Sequence, residues 1–142
     1  MSRAPLTVLI ADDEQMLTQA LADLLIDEGV FRVVGIAEGT DEAVKLAEEH
    51  EPDVAILDVK MPGGGGPRAA EGIRAVSPRT RILALSAHGD RGSVSEMLAA
   101  GAQGYVIKGA EPEEVLEALE TILRGETHLS EGIAEGEGPR SR

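Results

Sequence analysis

Asp53-Val54-Ala55-Ile56-Leu57-Asp58-Val59-Lys60-Met61-Pro62 is the stretch on which the reading of this chain turns. Four apolar residues, Val54 to Leu57, run into one aspartate and then into a Pro-Gly loop. A short apolar run bounded by turn signals reads as a buried strand of a parallel sheet. Asp58 then stands at its C-terminal end, where open α/β sheets place their chemistry. A carboxylate is costly to bury there without a cation or hydrogen-bond donors. The flanking sequence has to supply that company.

Working outward, similar runs recur, and several carry polar residues at their ends. Leu6 to Ala11 ends at Asp12-Asp13-Glu14, Ile82 to Leu85 ends at Ser86, and Tyr105 to Ile107 ends at Lys108. Phe31 to Ala37 supplies a fifth strand. Between them, apolar residues recur in steps of three and four. Met16, Leu17, Ala20, Leu21, Leu24 and Leu25 form one helical face, closed at Gly29. Thr40-Asp41-Glu42 reads as the cap and acidic first turn of a second helix. A Gly-rich loop running to Pro67 precedes a third, Val94 to Ala99 marks a fourth, and Pro112 opens a fifth. Five strands alternating with five helices predict a doubly wound α/β parallel sheet, strand order 2-1-3-4-5. Periodicity stops at Gly125. The expected division is therefore a folded domain over 1–124 and a flexible tail or linker start over 125–142.

Composition narrows the chemistry. Among 142 residues Phe31 and Tyr105 are the only aromatics, so the core is built from Leu, Ile, Val and Ala. Cysteine is absent, which removes disulfides and thiolate chemistry. No signal peptide or membrane-length apolar run is evident, and a cytoplasmic location is expected. The net charge of −13 argues against direct nucleic-acid contact by this domain, because such affinity rests on neutralising phosphates. The acidity reads as solubility through self-repulsion, with a local cation-attracting site as the alternative.

In a parallel sheet the strand ends emerge on one edge. Asp12, Asp13, Asp58, Ser86 and Lys108 are thereby grouped: three carboxylates, a hydroxyl and an ammonium. Converging carboxylates repel one another unless a divalent cation sits among them, and oxygen ligands of this kind suit Mg²⁺. Lysine and a hydroxyl then suit the remaining oxygens of a phosphoryl group, and an aspartate is a competent phosphoryl nucleophile. Taken singly, each residue has an ordinary structural explanation. Asp58 is a turn former, Asp12-Asp13 a helix start favoured by the dipole, Ser86 a cap, and Lys108 a solvated strand end. Their conjunction carries the argument.

With these residues in place, the chain resembles the receiver domain of two-component response regulators, a flavodoxin-like, CheY-like fold, over residues 7 to about 124. The motifs carrying the resemblance are Val8-Leu9-Ile10-Ala11-Asp12-Asp13-Glu14, Leu57-Asp58-Val59-Lys60-Met61-Pro62-Gly63, Leu85-Ser86-Ala87 and Gly104-Tyr105-Val106-Ile107-Lys108. The resemblance implies a phosphoryl group passed from a sensor histidine kinase to Asp58. It implies Mg²⁺ held by Asp13, Asp58, the Lys60 backbone carbonyl and, through water, Asp12. Lys108 would contact the phosphoryl group, Ser86 would swing toward it, and Tyr105 would follow inward as the switch aromatic. The surface of the fourth helix, fifth strand and fifth helix would change, with dimerisation or release of an output domain as the readout. Lys60 and His88 are candidates for setting phosphoryl lifetime. The Lys108-Gly109-Ala110 and Gly125 to Ser130 stretches look most like the subfamily with helix-turn-helix (LuxR-type) output, hence transcription regulation.

Two features depart from the pattern. Four glycines, Gly63 to Gly66, follow Pro62; without a Gly-Lys-Ser/Thr sequence they read as a flexible turn rather than a phosphate cradle. No output domain follows, which fits either a stand-alone receiver or part of a longer chain. Two rival functions are a phosphorylation-independent interaction module and a haloacid-dehalogenase-like phosphatase using Asp12. The complete residue set weighs against the first. The second lacks a cap domain, and Glu14 stands where its second aspartate belongs.

Overall fold

The computed structural model describes residues 5–87, 91–109 and 111–130. In chain order the elements are β1 (Leu6–Ala11), α1 (Gln15–Glu28), β2 (Phe31–Ala37), α2 (Thr40–His50), β3 (Val54–Asp58), α3 (Gly65–Val76), β4 (Arg81–Ser86), α4 (Arg91–Ala99), β5 (Gly104–Ile107), α5 (Pro112–Leu123) and β6 (His128–Leu129). The sheet is parallel throughout, in the order β2-β1-β3-β4-β5-β6. The 2-1-3-4-5 order stands, but the expected five strands become six. The segment read as a tail from Gly125 instead adds a short strand beside β5, pairing His128 with Gly104 and Leu129 with Tyr105. Two residues are too few to show a strand period, so no pattern in the chain announced it.

Alternation along the strands builds two cores. Val8, Ile10, Val54, Ile56, Leu83, Leu85 and Val106 pack on one face beneath α1 and α5. Leu9, Ala11, Ala55, Leu57, Ile82, Ala84 and Tyr105 pack on the other beneath α2, α3 and α4. Strands covered on both faces read as continuous apolar runs, which is why they were visible in the sequence.

Helix boundaries follow local chemistry. α1 stops at Gly29, whose φ of 78° few other residues adopt. Thr40 is not the cap of α2: Gly39 holds that place, and the Thr40 hydroxyl donates to the Gly65 carbonyl at 3.2 Å. The glycine run is also not a loose turn reaching Pro67. α3 begins at Gly65, and Pro67 fits in its first turn, where backbone N–H groups have no helical acceptor. A Cβ on Gly66 would stand 2.8 Å from the Asp58 carbonyl oxygen and 2.9 Å from Val59 Cα. Glycine there lets α3 close directly onto the strand that carries Asp58.

Candidate functional site

The strand register brings the polar ends together. Ala11 pairs with Leu57, Asp58 with Leu85 and Ser86 with Ile107, so successive strands finish level with one another. β5 ends at Ile107, one residue before the expected Lys108. Lys108 begins the following turn, and its N–H donates to the Ser86 carbonyl at 2.6 Å.

The Lys108 ammonium is the hub. It lies 2.6 Å from Glu14 Oε1, 3.0 Å from Asp12 Oδ2 and 3.2 Å from Asp58 Oδ2. Burial alone would lower its pKa; hydrogen bonds to Glu14 and Asp12 and the charges of Asp12 and Asp58 outweigh that and hold it well above the usual lysine value. Asp58 moves the other way from most paired carboxylates. Burial, then the negative charge of Asp12, pushes it up to about 6, against the Lys60 N–H bond at 3.2 Å and the lysine. Lysine compensation is therefore incomplete.

Carboxylate oxygens of Asp12, Asp13 and Asp58 all fall within 4.8 Å of one another. Asp12 Oδ2 is buried and, apart from its ion pair with Lys108, has no hydrogen-bond partner among the described residues. Three converging carboxylates that share one ammonium, one of them raised, make an all-oxygen donor set that fits a hard divalent cation such as Mg²⁺. The open cleft around this cluster, about 670 Å³, is lined by Asp13, Glu14, Met16, Lys60, Ser86 and Lys108, among others. Met16 is 88% exposed at its rim.

Asp12, Asp13, Asp58 and Lys108, grouped by their strand-end positions, meet at one edge, and Ser86 and Lys60, the latter brought in by the family resemblance, line the same cleft. His88 lies outside the described residues. Tyr105 is fully buried in the core shared with α4. Sequence reasoning placed Glu14 in the first-strand motif and as a mismatch to the phosphatase pattern, but missed it as the nearest partner of Lys108. A single acid after Asp12-Asp13 carries no spacing signal; only the fold brings residue 108 to it.

The matching family model is the response regulator receiver domain, aligned to residues 8–120. The nitrate/nitrite response regulator protein NarL of Escherichia coli (strain K12) is 35% identical over 132 residues, covering 93% of this chain and 61% of that protein. The chain spans about 60% of the length of the curated relatives it matches. Among solved structures, a LuxR-family two-component response regulator from Aurantimonas sp. SI85-9A1 superposes with a TM-score of 0.86 at 31% identity, covering 92% of this chain and 94% of that one. A response regulator from Burkholderia pseudomallei, described with a phosphorylated aspartic acid and a calcium ion, gives 0.75 at 27% identity, covering 84% of this chain and 69% of that one.

Proposed function

This chain belongs to the response regulator receiver family, and on that premise we propose that it is a phosphorylation switch whose acceptor is Asp58. The observation that carries this reading is one ammonium, Lys108, shared by Asp12, Glu14 and Asp58 beside a three-carboxylate cluster open to a cleft. A carboxylate raised to about 6 by burial and a neighbouring charge is a group in want of a cation.

In the proposed reaction an Asp58 oxygen attacks the phosphorus of a phosphohistidine on a sensor histidine kinase. The new O–P bond forms as the P–N bond breaks, and the imidazole leaves with the bonding electrons. Asp12, Asp13, Asp58 and the Lys60 carbonyl would hold Mg²⁺, which when bound offsets charge on the phosphoryl oxygens. Lys108 would meet one of those oxygens and Ser86 another, with the donor entering through the cleft that both line. The phosphoaspartate brings about two negative charges to the edge of the sheet, and Ser86 reorients to meet them. Tyr105 stands on the neighbouring strand and responds through packing. The surface of α4, β5 and α5 then favours homodimerisation or frees a DNA-binding output, so that the activity is transcription regulation by a cytoplasmic protein rather than substrate turnover. Among the described residues no helix is long and apolar enough to cross a membrane.

Incubation with Mg²⁺ and acetyl phosphate, followed by intact mass, tests this reading. One phosphoryl addition to the parent and none to Asp58→Asn is expected; no addition, or addition that survives in Asp58→Asn, overturns it. Lys60 and His88 are proposed to set how long the phosphoryl group lasts. Dephosphorylation rates of Lys60→Ala and His88→Ala that equal the parent's would remove that role.

A further inference from the structure

The sixth strand ties the end of the domain to the strand that feeds the site. Ser130 is buried, 4% exposed, and its N–H donates to the Tyr105 carbonyl at 2.9 Å. Its hydroxyl accepts from the Ile107 N–H at 3.1 Å and donates to Glu114 Oε2 on the first turn of α5. The same Glu114 oxygen lies 2.9 Å from His128 Nε2. On the opposite side of β5, Ile107 pairs with Ser86 and the Lys108 N–H donates to the Ser86 carbonyl. Thus β5 is held at one margin by Ser86 and at the other by Ser130, and Lys108 leaves the strand between them. Leu129 sits opposite Tyr105 in the pairing and packs on the same buried cluster.

We propose that Glu114 and Ser130 are positioning residues for the phosphoryl site: the Glu114–His128–Ser130 clasp holds β5 in the register that aims Lys108 at Asp58 and keeps Tyr105 buried. This rests on the phosphoacceptor reading above. Holding Lys108 in place before the phosphoryl group arrives spares the site the entropy of ordering it then. Coupling between two sites is reciprocal, so a clasp that favours phosphoryl binding is itself tightened by it. The chain beyond Ser130 would feel the state of Asp58 through this contact.

The test uses the full chain with beryllium fluoride and Mg²⁺ as the phosphoryl mimic. Ser130→Ala and Glu114→Ala are expected to weaken binding of the mimic at least about five-fold and to slow phosphorylation by acetyl phosphate, with far-ultraviolet circular dichroism unchanged. Glu114→Gln keeps an acceptor for the Ser130 hydroxyl and is expected to restore most of the affinity. Glu117→Ala, on the same helix but outside the clasp, is expected to match the parent. In the parent, the mimic is expected to slow hydrogen exchange at the His128 and Ser130 amides. Parent-like affinity in both alanine variants, tighter binding in either, an equal loss in Glu117→Ala, or unchanged exchange at residues 128 and 130 overturns the proposal. A parent that binds no mimic fails the phosphoacceptor reading and this inference with it. A parent that binds it normally beside indifferent clasp variants fails this inference alone.

Discussion

Asp58 and Glu114 are both carboxylates set against a basic side chain at the edge of one sheet, yet their surroundings move them in opposite directions. Burial and the Asp12 charge push Asp58 up to about 6 despite Lys108. Burial also acts to raise Glu114, but hydrogen bonds from Ser130 and His128, with the histidine charge, hold it below the ordinary carboxylate value. The difference is one of stoichiometry. Lys108 is divided among three acids, whereas two donors converge on a single Glu114 oxygen. The first cluster has unspent negative charge and suits a cation and a phosphoryl group. The second is satisfied within the protein and suits a fastening. A carboxylate beside a cation is therefore no guide to function until its donors and competitors are counted.

The sharpest way to break this contrast is to neutralise each acid in turn. Asp58 binds its proton more tightly in the folded chain than in the unfolded one. Its contribution to stability is therefore full below its ordinary value of 3.8 and is lost as pH rises through about 6. Asp58→Asn should stabilise the protein by about 2 kcal/mol at pH 7 without divalent cation, and the gain should vanish near pH 4. Urea unfolding at the two pH values measures this; a variant less stable than the parent at pH 7 would show that Lys108 compensates Asp58 after all.

Adding Mg²⁺ should act in the same direction on the parent. Mg²⁺ at ten times its dissociation constant is expected to add about 1.4 kcal/mol, seen as a higher melting temperature. The gain should be largely lost in Asp13→Asn. An equal rise in both proteins would place the ion elsewhere.

The smallest effect belongs to the clasp and has the opposite sign. Glu114→Ala should cost about 1 kcal/mol at pH 7, the net worth of one typical hydrogen bond at a carboxylate that is still partly exposed. Because the folded chain holds Glu114 as the anion, that stability is present above its ordinary value of 4.5 and fades as pH falls through its lower folded value. The penalty should therefore shrink in acid, where the Asp58→Asn gain also disappears. A Glu114→Ala penalty that grows below pH 4 would contradict the satisfied-anion picture.

How much of this could be read from the chain depends on the range of the forces involved. Val54 to Leu57, Ile82 to Leu85 and the stepped leucines of α1 are legible because a strand buried on both faces and a helix buried on one leave local, periodic marks. Parallel strands level at their ends then place Asp12, Asp13, Asp58, Ser86 and Lys108 on one edge without a distance being known. The glycines from Gly63 to Gly66 were visible as a break, but their purpose was not. Close approach of Gly66 to the Asp58 carbonyl joins two elements whose contact no local pattern records.

By itself, then, the sequence determined the alternating architecture and the membership of the acidic cluster, since both follow from hydrophobic period and strand direction. Only the tertiary structure decided that Lys108 is shared with Glu14, that Asp58 lies near 6 while Glu114 lies low, that Tyr105 is already buried, and that His128–Ser130 closes the sheet. Those outcomes depend on charge, burial and hydrogen-bond partners 14 and 16 residues apart in the clasp and 94 apart in the site. Such quantities exist only once the chain has folded, because they are sums over neighbours that the order of residues does not bring together.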